Sequence, residues 1–170
     1  FEPRYQQLIN ECIDERKTFG IPAFINNKLP GYGTEMKIVN VSKRYDDGRM
    51  DIKTRGIRAF RVLTFQNPVP DKLYSGGKVT FVEESESPEG VISELLLQLD
   101  RLYTILQTQV DFDSAVFPFS YQIAHKVGLS QEEEYQVLTI DSETERQRFL
   151  LRHLNKVIPV MADMEITKER

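Results

Sequence analysis

Apolar positions in the first part of the chain recur mostly with a period of two, and those beyond Pro88 with a period of 3.6. The chain opens on an exception. Tyr5, Leu8, Ile9, Cys12 and Ile13 fall at three- and four-residue spacing, which predicts a helix over 2–17 with Pro3 in its first turn and Gly20 as a stop. The apolar run 21–25 predicts a short strand that Pro22 confines to a strand start or an edge. Residues 26–33 carry loop chemistry. A strand over 34–45, the turn Asp46-Asp47-Gly48 and a return strand from Arg49 form a predicted hairpin, with glycine accepting positive φ without steric cost. On the return strand Met50, Ile52 and Thr54 alternate with Arg49, Asp51, Lys53 and Arg55. Past Gly56 both faces turn apolar, with Ile57 and Ala59 on one and Phe60 and Val62 on the other, which predicts a bulge at a barrel corner. Asn67-Pro68-Val69-Pro70 breaks the chain, and 78–83 is the last predicted strand.

In the second part Val91, Leu95, Leu99, Leu102 and Leu106 form a helical stripe flanked by Ile92, Leu96 and Tyr103. A shorter helix is predicted from Phe117-Pro118-Phe119 to near Gly128. Ser130 with Glu133, and Ser142 with Glu145, have capping-box spacing ahead of two more helices. The last of these buries Leu150, Leu154, Val157, Ile158 and Met161, with a kink predicted at Pro159. The pattern is therefore α+β, a β-rich part over 1–84 followed by a helical part over 85–170.

Composition narrows the class. A chain of 170 residues buries about 70% of its unfolded surface and folds without a metal or disulfide. With 40% hydrophobic and 28% charged residues it is neither a disordered tail nor a membrane protein, as no apolar run approaches about 20 residues. The single cysteine, Cys12, excludes an internal disulfide framework and predicts a reducing, cytoplasmic setting. The chain begins at Phe1 without an apolar leader and inside an apparent element, which predicts a preceding segment. The net charge of −4 is uneven: 14 Lys and Arg against 11 Asp and Glu up to Glu84, and 8 against 15 beyond it.

Catalytic chemistry finds no purchase in these residues. Ser75-Gly76-Gly77-Lys78 lacks the earlier glycine and the following hydroxyl of a phosphate loop. Gly31-Tyr32-Gly33 neither follows a long buried strand nor opens a helix. His125 and His153 stand on predicted helices without a metal-spaced partner, and Asp111 and Asp113 read as caps. Neither a cofactor nor a metal is predicted, and the chain reads as non-enzymatic. Two binding surfaces remain. The basic run from Lys37 to Arg61, with Lys53 and Arg55 at its centre and Tyr45 or Phe60 to stack a base, would suit RNA. Interleaved aspartates and the acidic whole speak against nucleic acid. Leu29, Tyr32, Tyr45, Phe65 and Tyr74, with neighbours in turns and strand edges, would instead take up an extended polypeptide.

Those residues carry a family resemblance. Phe1-Glu2-Pro3-Arg4-Tyr5 opening a helix, Phe19-Gly20-Ile21, Gly33-Thr34 before an apolar strand, Asp47-Gly48-Arg49 and the run from Arg55 through Gly56 and Phe60 to Val62 resemble the substrate-binding N-terminal domain of Lon proteases. That domain also occurs as a stand-alone bacterial protein and in cereblon. The order holds from Phe1 to about Glu84, and the helical remainder is compatible with it. The resemblance implies a PUA-like β pseudo-barrel followed by an α-helical bundle, and recognition of unfolded or extended polypeptide, with a protease or chaperone as a possible partner and no membrane. It implies structural roles for Glu2 and Arg4, tying the first helix to the barrel, with Gly56 supplying a bend and Phe60 and Val62 supplying core. Family members carry an apolar strand before this motif, so the barrel expected here lacks a piece.

Overall fold

The computed structural model describes residues 2–29, 31–84, 92–112 and 118–168, the last four without their side chains. The predicted helix start near Pro88 and Val91, the cap at Asp113 and the proposed Phe117 helix entry lie outside the described residues. The chain divides into two compact units, Phe1–Val82 and Glu83–Arg170.

The first unit begins with α1 (Pro3–Asp14), which has proline at its start and buries Ile9 and Cys12. It ends three residues before the predicted limit, because Arg16 adopts a φ of 53°. Tyr5, expected on its apolar face, is 46% exposed. Four strands follow in the order β1 (Phe19–Pro22), β2 (Tyr32–Arg44), β3 (Met50–Gln66) and β4 (Gly76–Phe81), each antiparallel to its neighbour in one sheet. β1 lies earlier than the predicted 21–25. Its register pairs Phe19 with Met36 and Pro22 with Gly33, so Gly20 is a strand residue and not a helix stop. Ile25 makes only an isolated bridge to Lys28. β4 also starts two residues before the prediction and stops at Phe81.

The hairpin turns where predicted, at Gly48, whose φ of +83° other residues rarely adopt. Asp47 accepts from the backbone N–H and the guanidinium of Arg49 across that turn. The predicted bulge is present as well: Glu35 pairs with Arg58 and Met36 with Gly56, so Ile57 is the extra residue on β3. Gly33 has a different reason to be glycine. A Cβ there would lie 2.5 Å from the Ile21 carbonyl oxygen and 2.6 Å from the Phe60 ring. Phe60 is 3% exposed and Val62 half-buried, so only the first is core in the full sense.

The second unit contains α2 (Ile92–Ile105), α3 (Phe119–Ile123) continued by a 3-10 turn (Ala124–Lys126), α4 (Gln131–Thr139) and α5 (Glu143–Lys168). Leu95, Leu99 and Leu102 from α2 meet Phe119, Ile123, Val137, Leu150 and Leu154 in a shared core. Leu106, the last position of the predicted stripe, falls beyond the end of α2 and is 44% exposed. The Ser130 capping box is complete, with both reciprocal hydrogen bonds. In the second box Ser142 Oγ accepts from Glu145 N at 3.4 Å, but the Glu145 carboxylate pairs with Arg148. α5 runs on through Pro159.

Candidate functional site

A cleft of about 420 Å³ lies within the first unit, between α1 and the sheet. Period-two alternation places Phe60 and Val62 of β3 on the same face as Val79 and Phe81 of β4, with which they pair. These four side chains form an apolar floor, and Tyr5 and Leu8 of α1 face them. Phe65 and Tyr74 close one end, and Phe19 and Pro22 of β1 line another side.

β4 is an edge strand. Val82 N donates to Ala59 O at 3.0 Å, and Val62 N donates to Gly31 O at 2.7 Å, away from β4. By the alternation of an antiparallel ladder, the N–H and C=O groups of Val79 and Phe81 therefore point outward from the sheet. The floor side chains and these outward main-chain groups belong to the same two residues.

A carboxylate on α1 fixes the cleft wall. Glu11 Oε2 accepts from Lys72 Nζ at 2.8 Å and from the Tyr74 hydroxyl at 2.6 Å. One turn earlier, Gln7 Oε1 accepts from Leu73 N at 2.8 Å. The Lys72 hydrogen bond, and then that of Tyr74, hold the Glu11 carboxyl below the usual carboxylate range. In return Glu11 raises both Lys72 and Tyr74. Tyr74 thus presents its ring while its hydroxyl is already engaged.

The rim is polar. Glu35 accepts from the Thr18 hydroxyl and from Arg58 Nε, each at 2.7 Å. Partial burial pushes the Glu35 carboxyl up, but those two hydrogen bonds outweigh it and the net shift is downward. The Arg58 guanidinium lies 3.4 Å from the centre of the Phe81 ring, a cation–π contact that orients the floor residue nearest the edge.

The residues predicted for polypeptide binding are divided. The cleft brings Phe65 and Tyr74 together. Leu29 is exposed in the loop before β2, and Tyr32 is half-buried where β2 begins, opposite Arg61. Tyr45 stands at the hairpin end, where its hydroxyl donates to Asp51 at 2.9 Å and Lys43 and Arg49 lie over its ring at 4.4 and 5.0 Å. Its ring is therefore engaged by cations, and Phe60 is buried, so neither aromatic proposed for base stacking presents a free face. Lys53 and Arg55 lie exposed on one face of β3. Glu2 and Arg4 pair with each other at 2.5 Å at the start of α1, and among the described residues neither makes the predicted ion pair or hydrogen bond to the sheet.

In the sequence Tyr5 and Leu8 read only as an apolar helix face and Arg58 only as part of the basic run, and nothing there placed Val79 or Phe81 in a site. The Val79–Phe81 alternation was legible, but only register places it beside Phe60 and Val62. In the second unit His125 is exposed, while His153 lies between Val127 O at 3.0 Å and Glu133 at 3.4 Å. These contacts link helices. Among the described residues no group of three or more His, Cys, Asp or Glu side chains is placed to hold a metal ion, and no helix is long and apolar enough to cross a membrane.

Comparison with known proteins gives the family and bears out the fold. The family model described as the ATP-dependent protease La (Lon) substrate-binding domain matches residues 1–156. The structure of a Lon N-terminal domain protein from Xanthomonas campestris superposes with a TM-score of 0.68 at 26% identity, covering 89% of this chain and 85% of that one. The N-terminal domain of the Mycobacterium avium complex Lon protease superposes with a TM-score of 0.64, covering 91% and 87%. At 18% identity that second likeness bears on the fold alone. No curated protein sequence matches the chain.

Proposed function

The chain belongs to the Lon protease substrate-binding domain family, and from that premise we propose that its β-rich unit recognises unfolded or extended polypeptide without catalysing a reaction. The observation that carries this reading is the joining of an apolar floor to an open strand edge. Val79 and Phe81 supply ring and methyl surface to the cleft and, among the described residues, main-chain groups without a strand partner at its border. An extended chain laid along β4 satisfies those groups through its own backbone, whatever its sequence, and turns alternate side chains toward Phe60, Val62 and Phe65. Selection by backbone plus apolar residues suits a module that distinguishes unfolded from folded protein, since folded proteins keep both hidden.

Catalysis has no place in the reading, because the cleft is lined by aromatic, aliphatic and paired side chains. Its carboxylates are already engaged, Glu35 by Thr18 and Arg58 and Glu11 by Lys72 and Tyr74. The setting we propose is the cytoplasm, where the buried thiol of Cys12 stays free, and the bound polypeptide would pass to a protease or chaperone.

A fluorescence-anisotropy titration with a labelled, reduced and carbamidomethylated protein tests this. The chain should bind it saturably with weak salt dependence. Phe65→Ala and Phe81→Ala should each weaken binding about tenfold, the cost of an anchor of about 1.4 kcal/mol. Because these residues are 44% and 36% exposed, their melting temperatures should change little. Undiminished binding by both variants would remove the cleft from the account.

A further inference from the structure

Of the 14 Lys and Arg in the first unit, five enter ion pairs with carboxylates among the described residues. Arg4 pairs with Glu2, Lys17 with Glu15, Arg49 with Asp47, Arg58 with Glu35 and Lys72 with Glu11. Lys37, Lys53 and Arg55 are among the nine that do not, and all three are exposed. They also converge. Lys37 lies directly opposite Arg55 in the β2–β3 register, and Lys53 is two residues from Arg55 on the same face of β3. Like charges placed opposite each other across an antiparallel pair destabilise it, so this juxtaposition works against folding. The two nearest apolar neighbours along the strands, Val39 and Ile57, are 61% and 45% exposed. Over residues 1–82 the sequence carries 14 Lys and Arg against 9 Asp and Glu, so the surrounding field is positive too.

We propose that this outer face of the hairpin, centred on Lys37, Lys53 and Arg55, binds an extended acidic polypeptide segment. The inference rests on the reading that the chain recognises polypeptide, and adds a charge preference at a second surface. Two features select the occupant. Carboxylates at alternate positions of an extended chain repeat at about 6.8 Å, the same i, i+2 spacing that separates Lys53 from Arg55. A single-stranded nucleic acid would want an aromatic platform beside the cations. The aromatic at this end of the hairpin is Tyr45, already covered by Lys43 and Arg49 and tied to Asp51.

The test is an anisotropy titration of the full chain with three labelled probes at two salt concentrations: a 12-residue peptide alternating Glu and Thr, its Lys–Thr counterpart, and a 12-nucleotide oligouridylate. The acidic peptide alone should bind, more weakly at the higher salt. Lys53→Glu with Arg55→Glu should weaken it about tenfold or more and leave a reduced, carbamidomethylated protein, whose blocked cysteines carry no charge, bound as before. Arg55→Glu alone should raise the melting temperature, because Lys37 then faces an opposite charge. A drop in melting temperature with lost binding would make the strip structural and overturn the proposal. So would binding of the acidic peptide that is indifferent to the double variant, or binding of the oligouridylate in its place. Failure of the wild-type chain to bind the carbamidomethylated protein would count against the cleft instead, which separates the two readings.

Discussion

Arg146 and Glu143, one turn apart on α5, form an ion pair at 3.0 Å in which neither side chain is more than 2% exposed. Each charge has further partners. Glu143 accepts from the backbone and hydroxyl of Ser120 and from Gln147, while Arg146 donates to Ile140 O and to Glu84. The guanidinium also lies 4.5 Å from the centre of the Tyr121 ring, whose hydroxyl burial pushes up to about 12. A buried pair satisfied this fully adds little compared with an apolar pair of the same shape, but removing one member strands the other.

Arg146→Met should therefore destabilise the chain by about 3–5 kcal/mol, because it leaves the Glu143 carboxylate buried without its cation. Adding Glu143→Leu to that variant should restore part of the loss. Urea unfolding followed by the helical circular-dichroism signal measures both. A loss below about 1 kcal/mol for the single variant would mean that water reaches Glu143.

Gly33→Ala should cost about 1–3 kcal/mol through overpacking, since the new methyl meets the Ile21 carbonyl oxygen and the Phe60 ring inside normal contact distance. The neighbours on one side are the β1 backbone, which shifts only if the β1–β2 pairing loosens. Melting temperature is the readout, and an unchanged value would contradict the close approach.

The Glu11 tie makes the cleft wall pH-dependent in a defined direction. Its carboxyl is lowered in the folded chain, so its stabilisation is full above the ordinary value of about 4.3 and fades as pH falls through the lowered one. Lys72 and Tyr74 are raised, so their share is full below about pH 10 and is lost as pH climbs through their folded values. Wild type and Glu11→Gln should differ most in urea midpoint near neutral pH and converge toward both extremes. Parallel curves across the whole range would contradict the assignment.

Much of this architecture is legible in the sequence because period-two and period-3.6 stripes report burial directly. The Asp46-Asp47-Gly48 turn, the bulge after Gly56 and the Ser130 cap all follow from local chemistry that tertiary packing did not override. Strand limits were less legible. β1 takes Phe19 and Gly20 because pairing with β2 outweighs the weak β preference of glycine, a gain no local pattern contains. The Glu143–Arg146 pair was hidden for another reason: residues 143, 146 and 147 continue the inward stripe of Leu150 and Leu154, but their polar types disguise it. The cleft was half visible. Phe65 and Tyr74 stood out as apolar groups near breaks in the chain, whereas Val79, Phe81 and Tyr5 acquire meaning only once register and helix packing bring them to one place.

The most direct test of polypeptide recognition at the β4 edge is an amide-resolved NMR titration of the isotope-labelled chain with the carbamidomethylated protein, combined with hydrogen exchange. The account predicts that the Val79 and Phe81 amides, which point away from β3, shift and become protected on binding, together with the resonances of Phe65. Saturable binding that leaves both amides unshifted and exchanging as fast as in the free chain would contradict it.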